Sequence, residues 1–382
     1  MSQGELLLSI VVPTRGRSEY AANLIRSVLT SASRDFELVV RENADTPELE
    51  ALVDTLNDPR LRYDFSSEDL NMHQNFDQAI ALANGTYVCA LGDDDGILVD
   101  QALALLARAR TEGVDAVLTQ TLVYNWPGLS HRFWGDVGGA MAGNMFAENT
   151  ERMLDPRAEL DRVFQRGVTM GLGLLPRVYQ GFVSRRSLEA LRQACGSCFP
   201  AASPDMANAV GLVPFVNKVL YTPRAAVVSG HSPKSGGGTG AAGKHHGRLE
   251  DRTNLPPGTL QNWDPTIPRF WSGLTIYAQS AVAAAKASAP SAPVALAHHR
   301  LYAACLIYEP AVYRHDILKA ARLVPGSRFL MGIRVAWAVM ATLVKRTANF
   351  LTNALKMART HGRQRWDTMA DAIAAISHGR GA

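Results

Sequence analysis

The chain has 382 residues, 47% of them apolar and 19% charged, which describes a folded protein with room for two domains or one domain and an appendage, and excludes wholesale disorder. The net charge of +4 hides a gradient: residues 1–100 hold 7 Lys/Arg against 18 Asp/Glu, whereas residues 300–382 hold 13 against 4. A uniformly basic nucleic-acid binder is not written this way. An acidic, metal-using site joined to a basic surface for a membrane or polyanion is.

The N-terminus, "MSQGELLLSIVVPTRGR", has no basic start and no small-residue cleavage site after its apolar run, so it reads as a first strand and not a signal peptide. "LLLSIVV" (Leu6–Val12) is continuously apolar, as in a strand covered on both faces, and Pro13 ends it. Glu19–Ala32 has Leu24, Ile25, Val28 and Leu29 at helical spacing. "FELVV" is a second strand, and "TPELEALVDTLND" a helix with Pro47 near its first turn. "LRYDFS" is a short third strand; "MHQNFDQAIALAN" is a third helix, capped by Asn71 and stopped by Asn84-Gly85.

"TYVCAL" is the fourth strand. Cys89 within it reads as a small core residue. The strand runs into Asp93-Asp94-Asp95, three like charges whose burial requires a cationic partner or whose place is in an open cleft. If the backbone stays extended, Asp93 and Asp95 share a direction and Asp94 differs. A helix ("VDQALALLARARTEG") and a strand ("DAVLTQTLVYN") follow. Alternating strands and helices predict a parallel, doubly covered sheet, in which ligands bind beyond the carboxyl ends of the strands. "PTRGR", "RENAD" and "GDDD" all fall at such ends.

Residues 125–205 are less regular, with Trp126, Trp134 and a glycine-rich stretch (Gly135–Gly143). Cys195-Gly-Ser-Cys198 is a lone CxxC with no second pair, too little for zinc or redox chemistry. "FPAASPDMANAVGLV" is a loop entering a helix with Asp205 near its start, "KVLYTPRAAVVSGHS" is a closing strand, and "SPKSGGGTGAAGKHHG" reads as a mobile loop. From about residue 265 the chain reads as helices, many basic and amphipathic. "FLMGIRVAWAVMATLV" is its most apolar run, broken by Arg334 and flanked by Arg328, Lys345 and Arg346.

The ordered set "VVPTRGR", "VVRENAD" and "N…ALANGTYVCALGDDD" resembles glycosyltransferase family two of the bacterial surface-polysaccharide type, over roughly residues 6–235. The resemblance implies the GT-A fold, an α/β, Rossmann-like, mostly parallel central sheet flanked by helices. Here it would carry a C-terminal helical extension, with a nucleotide-sugar-binding and catalytic domain over 1–264 and a basic, mostly helical region over 265–382. It implies an inverting sugar transfer from a nucleotide-sugar, a UDP-sugar foremost, to a hydroxyl of a glycan or lipid-linked acceptor. It also implies a D-x-D-type site for Mn²⁺ or Mg²⁺.

Carried over residue by residue, Pro13, Thr14, Arg15, Arg17, Glu42, Asn43, Asn75, Asp93 and Asp94 would bind the donor. Asp95, Asp93 and His231 would hold the metal, and Asp205 would be the general base. Asp205 departs from the family's usual Glu-Asp by following Pro204. Read alone, Asp93–Asp95 is also a solvated capping turn, the "PTRGR" segment a helix N-cap, Asp205 an ordinary first-turn Asp and His231 a loop residue. The competing functions are nucleotidyl transfer to a sugar phosphate, whose glycine-rich loop "PTRGR" does not match, and a non-catalytic protein of the same fold. The expected location is cytoplasmic, at the inner face of a membrane, with the basic helices touching either that membrane or a second subunit.

Overall fold

The computed structural model of the chain describes residues 6–131, 135–142, 149–235, 246–252, 255–360 and 365–377, with backbone alone for 131, 142 and 348–360. Trp134 and most of the glycine-rich loop, 236–245 including His245, lie outside the described residues.

The alternation anticipated for the first 125 residues is present: β1 (Leu8–Thr14), α1 (Ser18–Leu29), β2 (Phe36–Asn43), α2 (Glu50–Leu56), β3 (Leu61–Ser66), α3 (Met72–Ala81), β4 (Tyr87–Ala90), β5 (Gly96–Ile97), α4 (Val99–Thr111) and β6 (Ala116–Asn125). β1 and β2 are buried at every position, which is why they read as unbroken apolar runs. β7 (Ser130–His131) and β8 (Gly135–Asp136) form a small ribbon, and β9 (Met141–Ala142) pairs with β6. β10 (Arg152–Leu154), α5 (Pro156–Gln165), β11 (Phe182–Ser184), α6 (Arg185–Cys195), α7 (Pro204–Gly211) and β12 (Val219–His231) complete the sheet-bearing part.

The main sheet runs β10-β12-β6-β11-β4-β1-β2-β3. β3, β2, β1 and β4 are mutually parallel, and β6 and β12 are parallel to each other. β11 is antiparallel to both β4 and β6, so the sheet is mixed but mostly parallel, with helices on its faces. The C-terminal ends of β1, β2, β4 and β12 open on one side, and every candidate loop sits there.

Gly85 departs from expectation. It is not a left-handed helix cap; a Cβ there would come within 2.6 Å of the Ser9 backbone nitrogen, so the glycine allows the turn to lie against β1.

The later helices are α8 (Gly273–Ser288), α9 (His298–Tyr308), α10 (Arg314–Ala321), α11 (Arg328–Thr360) and α12 (Met369–Ser377). One apolar cluster joins Phe164, Met206 and Val210 to Ile276, Ala281, Tyr302 and Ile317. The division anticipated at 264/265 therefore runs through continuous packing. β13 (His246–Gly247) and β14 (Trp271–Ser272) pair beside it.

α12 then returns to the N-terminal half. Met369, Ala372 and Ile373 pack with Leu98, Tyr124, Trp126 and Val228, and the Tyr124 hydroxyl donates to the Trp366 carbonyl at 2.8 Å. Met369 and Ile373 are 1% and 9% exposed. Truncating each to Ala is expected to cost about 2–5 kcal/mol, read from urea unfolding; midpoints equal to wild type would show that α12 does not dock there.

Candidate active site

An open cavity of about 2310 Å³ lies over the carboxyl ends of the strands. Its lining includes Pro13, Thr14, Arg15, Arg17, Asn43, His73, Asn75, Asp93, Asp94, Asp205, His231 and Lys234. Ten of these are donor, metal or base residues named from the sequence; His73 and Lys234 join them. The cavity does not include Glu42 or Asp95.

The three carboxylates part company because the chain leaves the extended state after β4. Residues 92–95 form a turn, with the Asp95 amide donating to the Gly92 carbonyl at 3.1 Å. The shared direction expected for Asp93 and Asp95 is therefore not what the backbone provides. Asp95 points behind the turn. Its Oδ1 accepts from Gly230 N at 2.8 Å and from Gln180 Nε2 at 2.9 Å, and its Oδ2 from Gly92 N at 2.8 Å. Those donors hold a carboxylate that is only 1% exposed. Burial, followed by the charge of Asp94, still pushes its pKa up to about 7.

Asp93 faces the end of β1. Thr14 Oγ1 donates to its Oδ2 at 2.7 Å, and the Arg17 fork straddles it, Nε to Oδ2 at 3.1 Å and the second terminal nitrogen 2.6 Å from Oδ1. Burial raises its pKa to about 6 against the opposing pull of Arg17 and Thr14. Arg17, named from sequence as a donor-binding residue, thus meets a carboxylate of its own chain at the edge of the cavity.

Asp94 also lines the cavity, and unlike Asp93, whose two oxygens face Thr14 and Arg17, it has an oxygen to spare. Oδ2 accepts from Ser232 N at 3.2 Å and Ser232 Oγ at 2.6 Å, with Arg17 3.6 Å away. Oδ1 accepts no hydrogen bond from any described residue.

The backbone of the turn is fixed from the far side of the sheet. Trp126 Nε1 donates to the Asp94 carbonyl at 2.8 Å, and Trp126 itself is held edge-on by Tyr20 and Tyr124. A Cβ on Gly230 would lie 1.6 Å from the Asp94 carbonyl oxygen, so only glycine lets β12 pass this close. Gln180 holds a left-handed backbone, φ 55°, and its side chain bridges Asp95 to Ser229 Oγ. A non-glycine residue there stores of order 1 kcal/mol of strain. None of Trp126, Gln180, Gly230 or Ser232 was legible as part of the site; they carry no motif, and only the sheet order brings them together.

Glu42 accepts from Glu48 N at 3.2 Å, Leu49 N at 3.1 Å and the Tyr63 hydroxyl at 2.6 Å. It caps the β2–α2 connection from beneath, and the cavity-facing residue after β2 is Asn43. Asn43 donates to the Ser66 and Glu68 carbonyls at 2.9 and 2.7 Å, leaving its Oδ1 buried without a partner among the described residues. Asn75 Oδ1 is similarly unpartnered. Both are acceptors that a ligand donor would satisfy.

Asp205 stands at the start of α7, where the helix dipole favours its charge. The Ser203 hydroxyl donates to its Oδ1, and the Tyr277 hydroxyl donates to its Oδ2 at 2.5 Å. Tyr277 comes from α8, beyond the segment the motifs cover. Burial and the neighbouring Asp205 raise the Tyr277 pKa well above its ordinary value, so it remains a neutral donor. His231 ends β12 beside Asp94, and burial lowers its pKa, which favours the neutral imidazole.

Among the described residues, no group of three or more His, Cys, Asp or Glu is arranged to hold a metal by itself. The donor set fits a hard cation that takes one or two carboxylates and completes its shell with substrate phosphates and water: Asp94 Oδ1 is the spare oxygen.

The fold and site define an α/β protein that presents buried carboxylates at the mouth of a mostly parallel sheet. Residues 9–136, a third of the chain, match the family described as "Glycosyl transferase family 2". The similar curated proteins are bacterial. The putative colanic acid biosynthesis glycosyl transferase WcaA of Escherichia coli is 34% identical over 23% of this chain and 33% of its own. Abequosyltransferase RfbV of Salmonella typhimurium is 32% identical over 26% and 32%. The Campylobacter jejuni GalNAc(5)-diNAcBac-PP-undecaprenol beta-1,3-glucosyltransferase is 29% identical over 34% and 42%. The matches thus span between a third and about two fifths of those relatives' lengths. The solved structure of S. aureus TarS 1-349 with UDP-GlcNAc aligns at a TM-score of 0.45 and 16% identity, over 59% of this chain and 58% of that one.

The raised values of Asp93 and Asp95 have a thermodynamic consequence. Above pH ~4 the unfolded carboxylates are ionised while the folded ones still hold protons, so both groups make metal-free stability fall as pH rises toward about 6 for Asp93 and about 7 for Asp95. In chelator, the melting temperature is expected to fall between pH about 5 and 7.5, with a smaller fall for Asp95→Asn whatever its absolute stability. Equal slopes in the two proteins would contradict the placement of Asp95.

Proposed function

We propose that the protein is an inverting glycosyltransferase that moves a sugar from a nucleotide-sugar, a UDP-sugar foremost, to a hydroxyl of a glycan or lipid-linked acceptor. The observation that carries this reading is the presence, in one cavity, of a spare carboxylate at the sheet mouth (Asp94) and a second, differently held carboxylate at a helix start (Asp205). The family match and the activities in the relatives' names support it.

In this reading the nucleoside lies along Pro13–Thr14 and Asn43, whose unpartnered Oδ1 accepts from the base or ribose. Arg15, Arg17 and Lys234 border the diphosphate side of the cavity. Arg17 is positioned by Asp93, which also takes the Thr14 hydroxyl, so the β1 loop and the acidic turn form one rigid edge. Asp94, with Asp93 and His231 beside it, would hold a divalent Mn²⁺ or Mg²⁺, which would supply positive charge to the departing diphosphate. Asp95 serves the site through the turn that it anchors.

Asp205 is the base. Its two oxygens are oriented by Ser203 and Tyr277, and it accepts the proton of the acceptor hydroxyl as that oxygen bonds to the anomeric carbon. The bond to the diphosphate oxygen breaks on the opposite face, and one displacement inverts the anomeric centre. The undecaprenol diphosphate in one relative's name supports a lipid-linked acceptor met at the cytoplasmic face of a membrane.

Two variants separate the roles. Asp205→Asn is expected to bind donor normally and lose turnover by roughly 10²-fold or more, measured as nucleoside diphosphate release from UDP-sugars in the presence of acceptor. Asp94→Asn is expected to lose metal-dependent binding of the nucleoside diphosphate itself, read by calorimetry. Near-normal turnover in the first, or unchanged metal-dependent affinity in the second, would remove the assigned role.

A further inference from the structure

α11 is a helix of 33 residues without a single Asp or Glu. Over its described side chains it exposes Phe329 (77%), Trp337 (75%), Val344 (67%), Met340 (60%), Leu330 (53%) and Ile333 (43%). Leu330, Ile333, Trp337, Met340 and Val344 recur at alternating steps of three and four, which places them on one face of an α-helix. Met331 and Val335 pack inward against the helical cluster. An apolar stripe of this size on a water-facing helix marks a contact surface.

Charge identifies the partner. Arg334 and Lys345 flank the stripe on the side toward the cavity, whereas Arg328 and Arg346 fall on the opposite side of the helix, Arg346 over the Tyr308 ring. A protein surface that complements this must supply acids in a matching pattern; an anionic bilayer supplies them everywhere, with hydrocarbon just below. The helix is not apolar enough to cross: no described helix is. We infer that α11 lies in the headgroup plane of an anionic phospholipid bilayer, its aromatic and aliphatic face inserted and Arg334 and Lys345 on the phosphates.

The same helix is a wall of the cavity. Ile333, Arg334, Trp337, Ala338 and Lys345 belong to its lining, so the inserted face continues into the acceptor side of the site. A lipid-linked acceptor would then reach Asp205 without leaving the bilayer. That last step rests on the transfer reading above, whereas bilayer binding rests on the surface of α11 alone.

The test is sedimentation of the full chain with vesicles of phosphatidylcholine, with and without phosphatidylglycerol, and light scattering of the protein alone. Wild type is expected to bind the anionic vesicles at least tenfold more tightly than neutral ones, and to release as ionic strength rises from about 0.05 to 0.5 M. Phe329→Glu, Met340→Glu and Val344→Glu combined, none of which lines the cavity, is expected to lower anionic binding at least tenfold while leaving donor hydrolysis unchanged. Should the triple variant fail to fold, Met340→Glu alone is expected to lower binding about threefold. No binding by wild type, equal binding to both vesicles, or a dimer that the variant dissolves would overturn the inference. Vesicle binding without any nucleotide release from UDP-sugars would instead sink the transfer reading and leave this one standing.

Discussion

Three adjacent carboxylates in a turn that is almost wholly removed from water are the constraint on which the site is built. Each is 1–3% exposed, and like charges this close cannot share one environment. The fold separates them by giving each a different set of donors. Asp95 takes two backbone amides and Gln180 on the sheet side; Asp93 takes Thr14 and Arg17; Asp94 takes Ser232 and keeps one oxygen over the cavity. These donors come from β1, the β4 turn, the segment before β11 and the end of β12. The acidic turn is consequently a reporter of the whole sheet order, and Gly230 marks where two of its strands come too close for any side chain.

The second half of the site is assembled by a different part of the chain. Asp205 sits on α7, outside the family-matched segment, and one of its two hydroxyl partners is Tyr277 of α8. Since α7 and α8 share one apolar cluster, the proposed base is set by the packing of the later helices and not by the sheet. The acidic turn and Asp205 thus answer to different cores. α12 then closes the circuit by packing behind Trp126 and the acidic turn.

Much of the fold was legible. Unbroken apolar runs at β1 and β2 and helical spacing at α1 and α4 expressed burial directly, and the strand-end polar clusters do converge on one cavity. What misled was local conformation. Alternation along an extended chain paired Asp93 with Asp95, but the strand ends at Ala90 and a turn reverses that logic. Glu42 was a donor residue by resemblance; it accepts from the amides of the next connection, and its neighbour Asn43 lines the cavity. Trp126, Gln180, Gly230 and Tyr277 had no signal, because their roles arise from contacts between segments far apart in sequence. The tail was read as basic and amphipathic, yet its return through α12 could not be read from periodicity.

The central claim is that the acidic turn offers one carboxylate, Asp94, to a cation shared with a diphosphate, while Asp95 is committed to the protein. The most direct measurement is anomalous diffraction from crystals grown with Mn²⁺ and UDP. The account predicts a manganese peak bonded to Asp94 and to a phosphate oxygen, with the Asp95 carboxylate still on Gly92, Gln180 and Gly230. A peak bonded to Asp95, or a bound UDP with no manganese near the turn, would contradict it.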